Sequence, residues 1–248
     1  MSSKPQIVFV PGAWNSPEGL TDLVENLESH GYTTHTCQLP SVGSKSPPKD
    51  LLEDIKAVQD VIEKAIGNGN DVIVASHSWG GIVVSSAAVG YDKTTRQAQN
   101  FKGGVVRLAY MASFLLPEGV SMINACGDQV PEFINIEGPY AIVKDSTALF
   151  NDLPAVQKQY WTSKLQSHSF ASMEAKSTGA AWRTIPTSYL VCEDDHAIPA
   201  SAQEAMIKSA REAGATVNYE TLNTGHFPFL TRSSAVAEYV RRAAGEAI

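Results

Sequence analysis

Six short apolar runs that alternate with helical patterns constrain the fold of this chain more than any other feature. The runs lie at residues 7–10, 32–38, 72–76, 104–112, 188–192 and 217–222. Runs that are nearly continuous in apolar residues are typical of strands buried on both faces of a parallel sheet. The helical patterns between them supply the crossovers that parallel strands require. The sequence therefore predicts an α/β fold with a doubly wound, mostly parallel six-stranded sheet.

The length and composition of the chain fit one domain. The chain has 248 residues, of which 43% are hydrophobic and 18% are charged, which is ample for one large core and short for two domains. We therefore expect a single domain over residues 1–248. The net charge of −7, with scattered basic residues, argues against nucleic-acid binding. No apolar run approaches the ~18 residues that span a bilayer, and no membrane contact is expected.

The N-terminus and the cysteines indicate an intracellular protein. The chain enters an apolar strand within six residues, which leaves no room for a signal peptide. Cys37, Cys126 and Cys192 are odd in number and lack metal-site spacing, so we expect reduced thiols and a cytoplasmic location. Nothing in the sequence indicates the oligomeric state.

A long interval at about 117–179 interrupts the alternation of strands and helices. It carries aromatic residues among polar ones, and its helical pattern is patchy, chiefly over 153–165. A segment of this length between two strands of a regular sheet is more often a lid than a second domain. We therefore predict a short helical lid, inserted after the fourth strand, that supplies apolar walls rather than catalytic groups.

The stretch VIVASHSWGG, residues 72–81, combines a buried strand, a tight turn and the start of a helix. In that context a Ser-x-Ser-x-Gly motif forces its central residue, Ser78, into strained backbone geometry and exposes its hydroxyl at the sheet edge. Small residues at Ser76 and Gly80 let the strand and the helix approach each other. The helix aims its first amides at the same point, so the Trp79 N–H can stabilise an oxyanion. Alone, the motif also fits a helix N-cap, but its context favours a nucleophile.

A serine nucleophile needs a general base, and His226 is the best placed of the six histidines. It follows the last strand in NTGHFPFL, and loops at the carboxyl ends of parallel strands share one edge of the sheet with the serine turn. The turn after the preceding strand, YLVCEDDHAIP, offers three carboxylates that could orient the imidazole: Glu193, Asp194 and Asp195.

These motifs resemble those of the α/β-hydrolase superfamily, and the resemblance covers nearly the whole chain. SHSWGG is similar to its nucleophile elbow, CEDDHAIP to its acid turn and GHFPFL to its histidine loop. The similarity of the acid turn implies that the acid is Asp195, with Asp194 as the reserve. Within the superfamily, the chain looks most like the small group of plant methylesterases and hydroxynitrile lyases, with their bacterial and fungal esterase-like relatives. That group shares an Ala-Trp pair after the glycine of its oxyanion loop.

An oxyanion hole and an apolar pocket complete the predicted site. VPGAWNSP, residues 10–17, resembles the superfamily's oxyanion loop, with Pro11 where a histidine is usual. The resemblance implies backbone N–H donors at Ala13 and Trp79. Aromatic residues near these motifs are expected to shape a pocket for a small-molecule substrate: Phe114, Trp161 and Phe227. No cofactor and no metal are expected.

Three functions are compatible with these residues. The leading one is a cofactor-independent serine hydrolase that cleaves an ester or lactone of a small, fairly apolar molecule through an acyl-enzyme. The second is a lyase or C–C bond-cleaving enzyme on the same fold, although the similar plant lyases have a lysine after the histidine, where this chain has Phe227. The third is a non-catalytic small-molecule binding protein. The complete set of Ser78, Asp195 and His226 favours the hydrolase.

Overall fold

The computed structural model describes residues 4–248, which form nine strands and ten α-helices. The strands are β1 (Gln6–Val10), β2 (Thr34–Thr36), β3 (Asp71–His77), β4 (Gly104–Met111), β5 (Ile134–Glu137), β6 (Tyr140–Val143), β7 (His168–Ser169), β8 (Thr187–Cys192) and β9 (Val217–Leu222). The helices are α1 (Thr21–Ser29), α2 (Leu52–Ile66), α3 (Gly80–Ala87), α4 (Lys93–Ala98), α5 (Met122–Ala125), α6 (Ala155–Lys164), α7 (Phe170–Glu174), α8 (Ala200–Glu212), α9 (Pro228–Thr231) and α10 (Ser233–Ala243). Within residues 4–248, no helix is both long enough and apolar enough to cross a bilayer.

Six strands form one sheet in the order β2-β1-β3-β4-β8-β9, and every neighbouring pair is parallel. The predicted six-stranded α/β sheet is therefore confirmed. The central strand β3 is buried from Val72 to His77, as its continuous apolar run predicts. Strand β2 is shorter than the predicted run over 32–38, because its pairing with β1 is limited to Thr34–Thr36.

Helices cover both faces of the sheet. Helix α1 packs against α10, whereas α2 packs against α3 and β1. In α2 the residues Ile55, Val58 and Ile62 are buried in one stripe, which is what an amphipathic helix needs to cover a sheet. Leu52, at the first position of the helix, is exposed.

The segment between β4 and β8, residues 112–186, is here called the insertion. It contains α6 close to the predicted helix at 153–165. It also contains a three-stranded antiparallel sheet, β5-β6-β7, that the sequence analysis did not predict. β5 and β6 have four residues each and are partly exposed, and β7 has only two residues, so these strands carry little apolar signal. The role of the insertion as a lid within one domain stays a prediction.

Candidate active site

Ser78 lies in the tight turn between β3 and α3. Its φ is 52°, a left-handed conformation that is strained for any residue other than glycine. Its carbonyl oxygen accepts hydrogen bonds from the N–H groups of Gly81 (3.2 Å) and Phe114 (3.1 Å). The hydroxyl of Ser113 donates a third bond to the same oxygen at 2.7 Å. These three donors hold the strained turn and leave the Ser78 side chain at the wall of a cavity.

Two glycines let the loop over residues 10–17 pack directly on this turn. A Cβ added at Gly80 would lie 2.5 Å from the carbonyl oxygen of Pro11. A Cβ added at Gly12 would lie 2.9 Å from the Cβ of Ser78. Cβ atoms in proteins essentially never lie within 3.0 Å of another heavy atom in this way. A side chain at either position would therefore displace the loop of residues 10–17 from Ser78.

The structure brings Ser78, His226 and Asp195 together in one chain of hydrogen bonds. Nε2 of His226 lies 2.9 Å from Oγ of Ser78. On the other side of the ring, Nδ1 lies 2.8 Å from Oδ2 of Asp195. All three side chains are buried. When Nδ1–H donates to the carboxylate, Nε2 is the unprotonated nitrogen and can accept the serine proton.

Asp195, and not Asp194, faces the histidine. Oδ1 of Asp195 accepts hydrogen bonds from the N–H groups of Ala197 (2.8 Å) and Ile198 (2.9 Å). Oδ2 also accepts one from Nε2 of Gln203 at 3.2 Å. The side chain of Asp194 is 55% exposed. The local turn therefore fixes the Asp195 carboxylate in the orientation that the imidazole needs.

His77, next to the serine, holds the histidine loop in place. Its Nε2 donates a 2.7 Å hydrogen bond to the carbonyl oxygen of His226, and the two rings lie 4.7 Å apart. Burial lowers the pKa of His77 well below its usual value, and the neighbouring His226 lowers it further. A neutral ring that donates to a backbone carbonyl indicates a structural role for His77.

Ala13 and Trp79 line the same cavity as Ser78. Across residues 4–248, no protein oxygen accepts a hydrogen bond from the backbone N–H of either residue. The assignment of these two amides as the oxyanion hole stays a prediction.

The space beside Ser78 is narrow, about 330 Å³ when its opening to solvent is included, and it has mostly apolar walls. The apolar lining residues include Trp14, Phe114, Met122, Pro131, Phe133, Leu149 and Ile198. No Asp, Glu, Lys or Arg of the described residues lines it. A site of this composition suits an uncharged, apolar group whose reactive bond lies at Ser78 and His226.

Of the three predicted substrate contacts, only Phe114 lines this cavity. Trp161 and Phe227 line a second space, about 270 Å³ with its opening to solvent, whose walls also include Pro11 and Gly12. The ring of Phe227 packs on His77, with 4.6 Å between the ring centres, and does not line the cavity at Ser78. The assignment of Trp161 and Phe227 to substrate binding stays a prediction. Met122, Phe133 and Leu149 were missed because they belong to the insertion, whose path the sequence did not define.

Comparisons with known proteins identify the family of this chain. The model of the Alpha/beta hydrolase family matches residues 7–240. "Alpha/beta hydrolase nvfD" of Aspergillus novofumigatus (strain IBT 16806) is 31% identical over 251 residues, which cover 99% of this chain and 98% of that protein. "Probable hydrolase R7" of Phoma sp. is 27% identical, covering 98% of this chain and 99% of that protein.

Solved structures share the fold at low sequence identity. A pyrethroid hydrolase from Sphingobium faniae has a TM-score of 0.74 at 19% identity, with 98% of both chains covered. A methylesterase from Arabidopsis has a TM-score of 0.75 at 14% identity, with 97% of this chain and 99% of that chain covered. Methylesterases are thus among the structural neighbours, as the resemblance of the motifs predicts. The family match over residues 7–240, together with the fungal relatives, shows that this chain belongs to the alpha/beta hydrolase family.

Proposed function

We propose that this protein is a serine hydrolase that cleaves an ester or lactone bond of a small, uncharged and fairly apolar molecule. The observation that carries the proposal is the unbroken chain of hydrogen bonds from Asp195 through His226 to Ser78, which ends in an apolar cavity. A serine hydroxyl is a weak nucleophile unless a base removes its proton as it attacks. His226 is within hydrogen-bond reach of that proton, and Asp195 stabilises the imidazolium that forms.

Acylation follows from the positions of these groups. Oγ of Ser78 attacks the substrate carbonyl carbon while Nε2 of His226 takes the hydroxyl proton. The carbonyl oxygen becomes an oxyanion, which the N–H groups of Ala13 and Trp79 stabilise. Donors of this kind are each worth roughly 3 kcal/mol of transition-state stabilisation. His226 then gives its proton to the departing alkoxide, which leaves as an alcohol.

Deacylation repeats the same steps with water as the nucleophile. His226 removes a proton from water, which attacks the acyl carbon on Ser78, and the same two N–H groups stabilise the second oxyanion. His226 then returns the proton to Oγ of Ser78, and the carboxylic acid departs. With a lactone as substrate, the acid and the alcohol are two ends of one product.

Two measurements, ester turnover and covalent labelling, together separate this proposal from its alternatives. We expect the wild-type protein to hydrolyse p-nitrophenyl acetate and to gain one covalent adduct, at Ser78, from a fluorophosphonate probe. Ser78→Ala should do neither while retaining the wild-type unfolding transition. A lyase or C–C bond-cleaving enzyme would leave the ester intact, and a binding protein would give neither turnover nor adduct. Ester turnover retained in Ser78→Ala would contradict the proposal.

We also propose a cytoplasmic location, because Cys37, Cys126 and Cys192 are all unpaired thiols. Burial raises the pKa of Cys37 to about 12, so this thiol is unreactive near neutral pH. Fractionation of cells that express a tagged chain would test the location. Recovery of the protein in a secreted or membrane fraction would contradict it.

A further inference from the structure

Two adjacent residues of the insertion, Asn151 and Asp152, contact two loops of the candidate site. These are the acid loop, which is the turn CEDDHAIP at residues 192–199, and the histidine loop GHFPFL at residues 225–230. Asn151 and Asp152 lie between β6 and α6, far along the chain from either loop. The sequence prediction gave the insertion a role in shaping the substrate pocket only. The contacts of this pair indicate a role in the geometry of the triad itself.

Asp152 holds the chain immediately before His226. Its Oδ2 accepts a 2.7 Å hydrogen bond from the backbone N–H of Gly225. The same oxygen accepts bonds from the hydroxyls of Thr224 (3.0 Å) and Thr231 (3.1 Å). One carboxylate oxygen of the insertion therefore binds both ends of the segment that carries His226.

Asn151 holds the neighbouring acid loop. Its Nδ2 donates hydrogen bonds to the backbone oxygen of Asp194 (2.8 Å) and to Oδ2 of the same residue (3.0 Å). The N–H of Asp194 in turn donates to the carbonyl oxygen of Thr224 at 3.1 Å. The two loops and the pair from the insertion thus form one connected network next to Asp195 and His226.

The lack of a side chain at Gly225 lets the histidine loop approach Asn151 and Asp152 closely. A Cβ added at Gly225 would lie 2.5 Å from Oδ1 of Asp152 and 2.6 Å from Oδ1 of Asn151. A side chain at this position would separate the histidine loop from the insertion. The glycine is thus required by the approach of Asn151 and Asp152.

The insertion contacts the oxyanion loop as well. The indole N–H of Trp14 donates a 3.0 Å hydrogen bond to the carbonyl oxygen of Ala141 in β6. The carbonyl oxygen of Trp14 accepts a 2.9 Å bond from the N–H of Gln166. Trp14 has a φ of 63° and follows Ala13, whose N–H is an oxyanion donor in the proposed function. The acid loop, the histidine loop and the oxyanion loop are therefore all hydrogen-bonded to the insertion.

We propose that Asp152 is a positioning residue of the triad, which holds the His226 ring in line with Ser78 through the Gly225 amide. This inference rests on the proposed serine hydrolase function. The backbone of His226 is held on its carbonyl side by His77 and on its N-terminal side by Asp152. Loss of the second contact frees the peptide before His226 and lets the ring move relative to the hydroxyl. A displacement of about 1 Å at a reacting group costs roughly 100-fold in rate.

The test compares variants on p-nitrophenyl acetate, whose acyl group is too small to depend on the pocket walls. In Asp152→Ala we expect kcat to fall about 10- to 100-fold with KM unchanged, because substrate binding does not involve this residue. Asp152→Asn should recover most of the rate, since its amide oxygen can accept the Gly225 N–H bond. Asp145→Ala is the matched control, since Asp145 is an exposed aspartate of the insertion whose carboxylate accepts a hydrogen bond from the N–H of nearby Thr147 and contacts none of the loops of the site.

A second readout is independent of turnover. The amide hydrogen of Gly225 should exchange faster in Asp152→Ala than in the wild type, as measured by mass spectrometry on a peptide that spans residues 223–227. Should Asp152→Ala fail to fold, Gly225→Ala breaks the same contact from the other side and is expected to show the same loss of kcat. Folded variants that keep the wild-type kcat would overturn the proposal. Failure of the proposed function has a different signature, namely a wild-type protein that neither hydrolyses the ester nor reacts with a fluorophosphonate.

Discussion

Oγ of Ser78 lies 2.9 Å from Nε2 of His226, although the two residues are 148 positions apart in the chain. Ser78 follows β3 and His226 follows β9, and these strands run parallel in one sheet. Their carboxyl ends therefore open at the same edge, where ligands bind in sheets of this kind. The distance between the two atoms depends on the order of the strands and on the loops that hold the two residues.

The acid of the triad can be tested by two neighbouring substitutions. Asp195→Asn should lower kcat by roughly 10⁴-fold, because an amide favours the wrong tautomer of the imidazole. Asp194→Asn should stay within about threefold of wild type, because that side chain is largely exposed and Asn151 still bonds to its backbone oxygen. Steady-state kinetics on p-nitrophenyl acetate measure both. The reverse order of activities would move the assignment to Asp194.

The oxyanion loop can be tested at Gly12. A Cβ at this position would lie 2.9 Å from the Cβ of Ser78 and 3.0 Å from Nδ1 of His77, so Gly12→Ala should displace the loop that carries the Ala13 N–H. We expect kcat to fall roughly 100-fold, as for loss of one oxyanion donor. Gly19→Ala is the control, since its Cβ would meet Phe229 at an ordinary 3.6 Å. Equal activities of the two variants would contradict the assignment of the loop.

The size of the cavity should set the preference for acyl groups. Phe133→Ala removes a wall of the Ser78 cavity and should raise the ratio of kcat/KM for p-nitrophenyl octanoate over the acetate several-fold. Trp161→Ala tests the sequence-based assignment of that residue in the same assay. Because Trp161 lines the second space, we expect the ratio to change less than in Phe133→Ala. A larger change in Trp161→Ala would place Trp161, and not Phe133, against the substrate.

Acid should destabilise the protein in part through His168. This residue is fully buried in the insertion, with its ring 4.5 Å from that of Trp79, and burial lowers its pKa from 6.5 to about 3. Below about pH 6.5 the unfolded chain binds a proton that the folded chain does not bind. The stability contributed by the neutral ring is therefore full above pH 6.5 and is lost as the pH falls toward 3.

His168→Phe keeps a planar ring at this position and removes the titration. Between pH 7 and pH 5, the free energy of unfolding should fall by about 2 kcal/mol less in the variant than in the wild type. Asp54, whose pKa burial raises to about 6, contributes with the opposite sign, but it is present in both proteins and cancels in the difference. Urea unfolding at the two pH values gives the measurement. Equal losses in both proteins would show that His168 is not held neutral.

The sequence predicts the contact of Ser78, His226 and Asp195 well because each of these residues is tied to a local pattern. The apolar run before Ser78 and the turn residues around His226 define two strand ends, and a parallel sheet brings such ends together. The choice of Asp195 over Asp194 depended on the similarity of CEDDHAIP to the acid turn of a known family. The residues that the sequence did not identify, Asp152 and Phe133, act through contacts that depend on the path of the insertion.

The strands of the insertion, β5, β6 and β7, were not predicted from the sequence because they are short. In the segment INIEGPYAIV, residues 134–143, INIE alternates apolar and polar residues and YAIV is an apolar run, with Gly-Pro between them, which is the signal of a short hairpin. Its strands are too short to stand out beside six longer apolar runs. The expectation that the insertion only shapes the pocket is therefore best tested on α6, whose residues are all partly or fully exposed and lie outside the Asn151–Asp152 pair.

The most direct test of the central claim is the reaction of Ser78 with a fluorophosphonate, followed by intact-protein mass spectrometry and peptide mapping. We expect one adduct per wild-type chain, located on Ser78, with loss of ester turnover in proportion to labelling. We also expect no adduct in Ser78→Ala, and labelling slowed by at least roughly 1,000-fold in His226→Ala. A single adduct at another residue, or labelling of His226→Ala at the wild-type rate, would contradict the central claim.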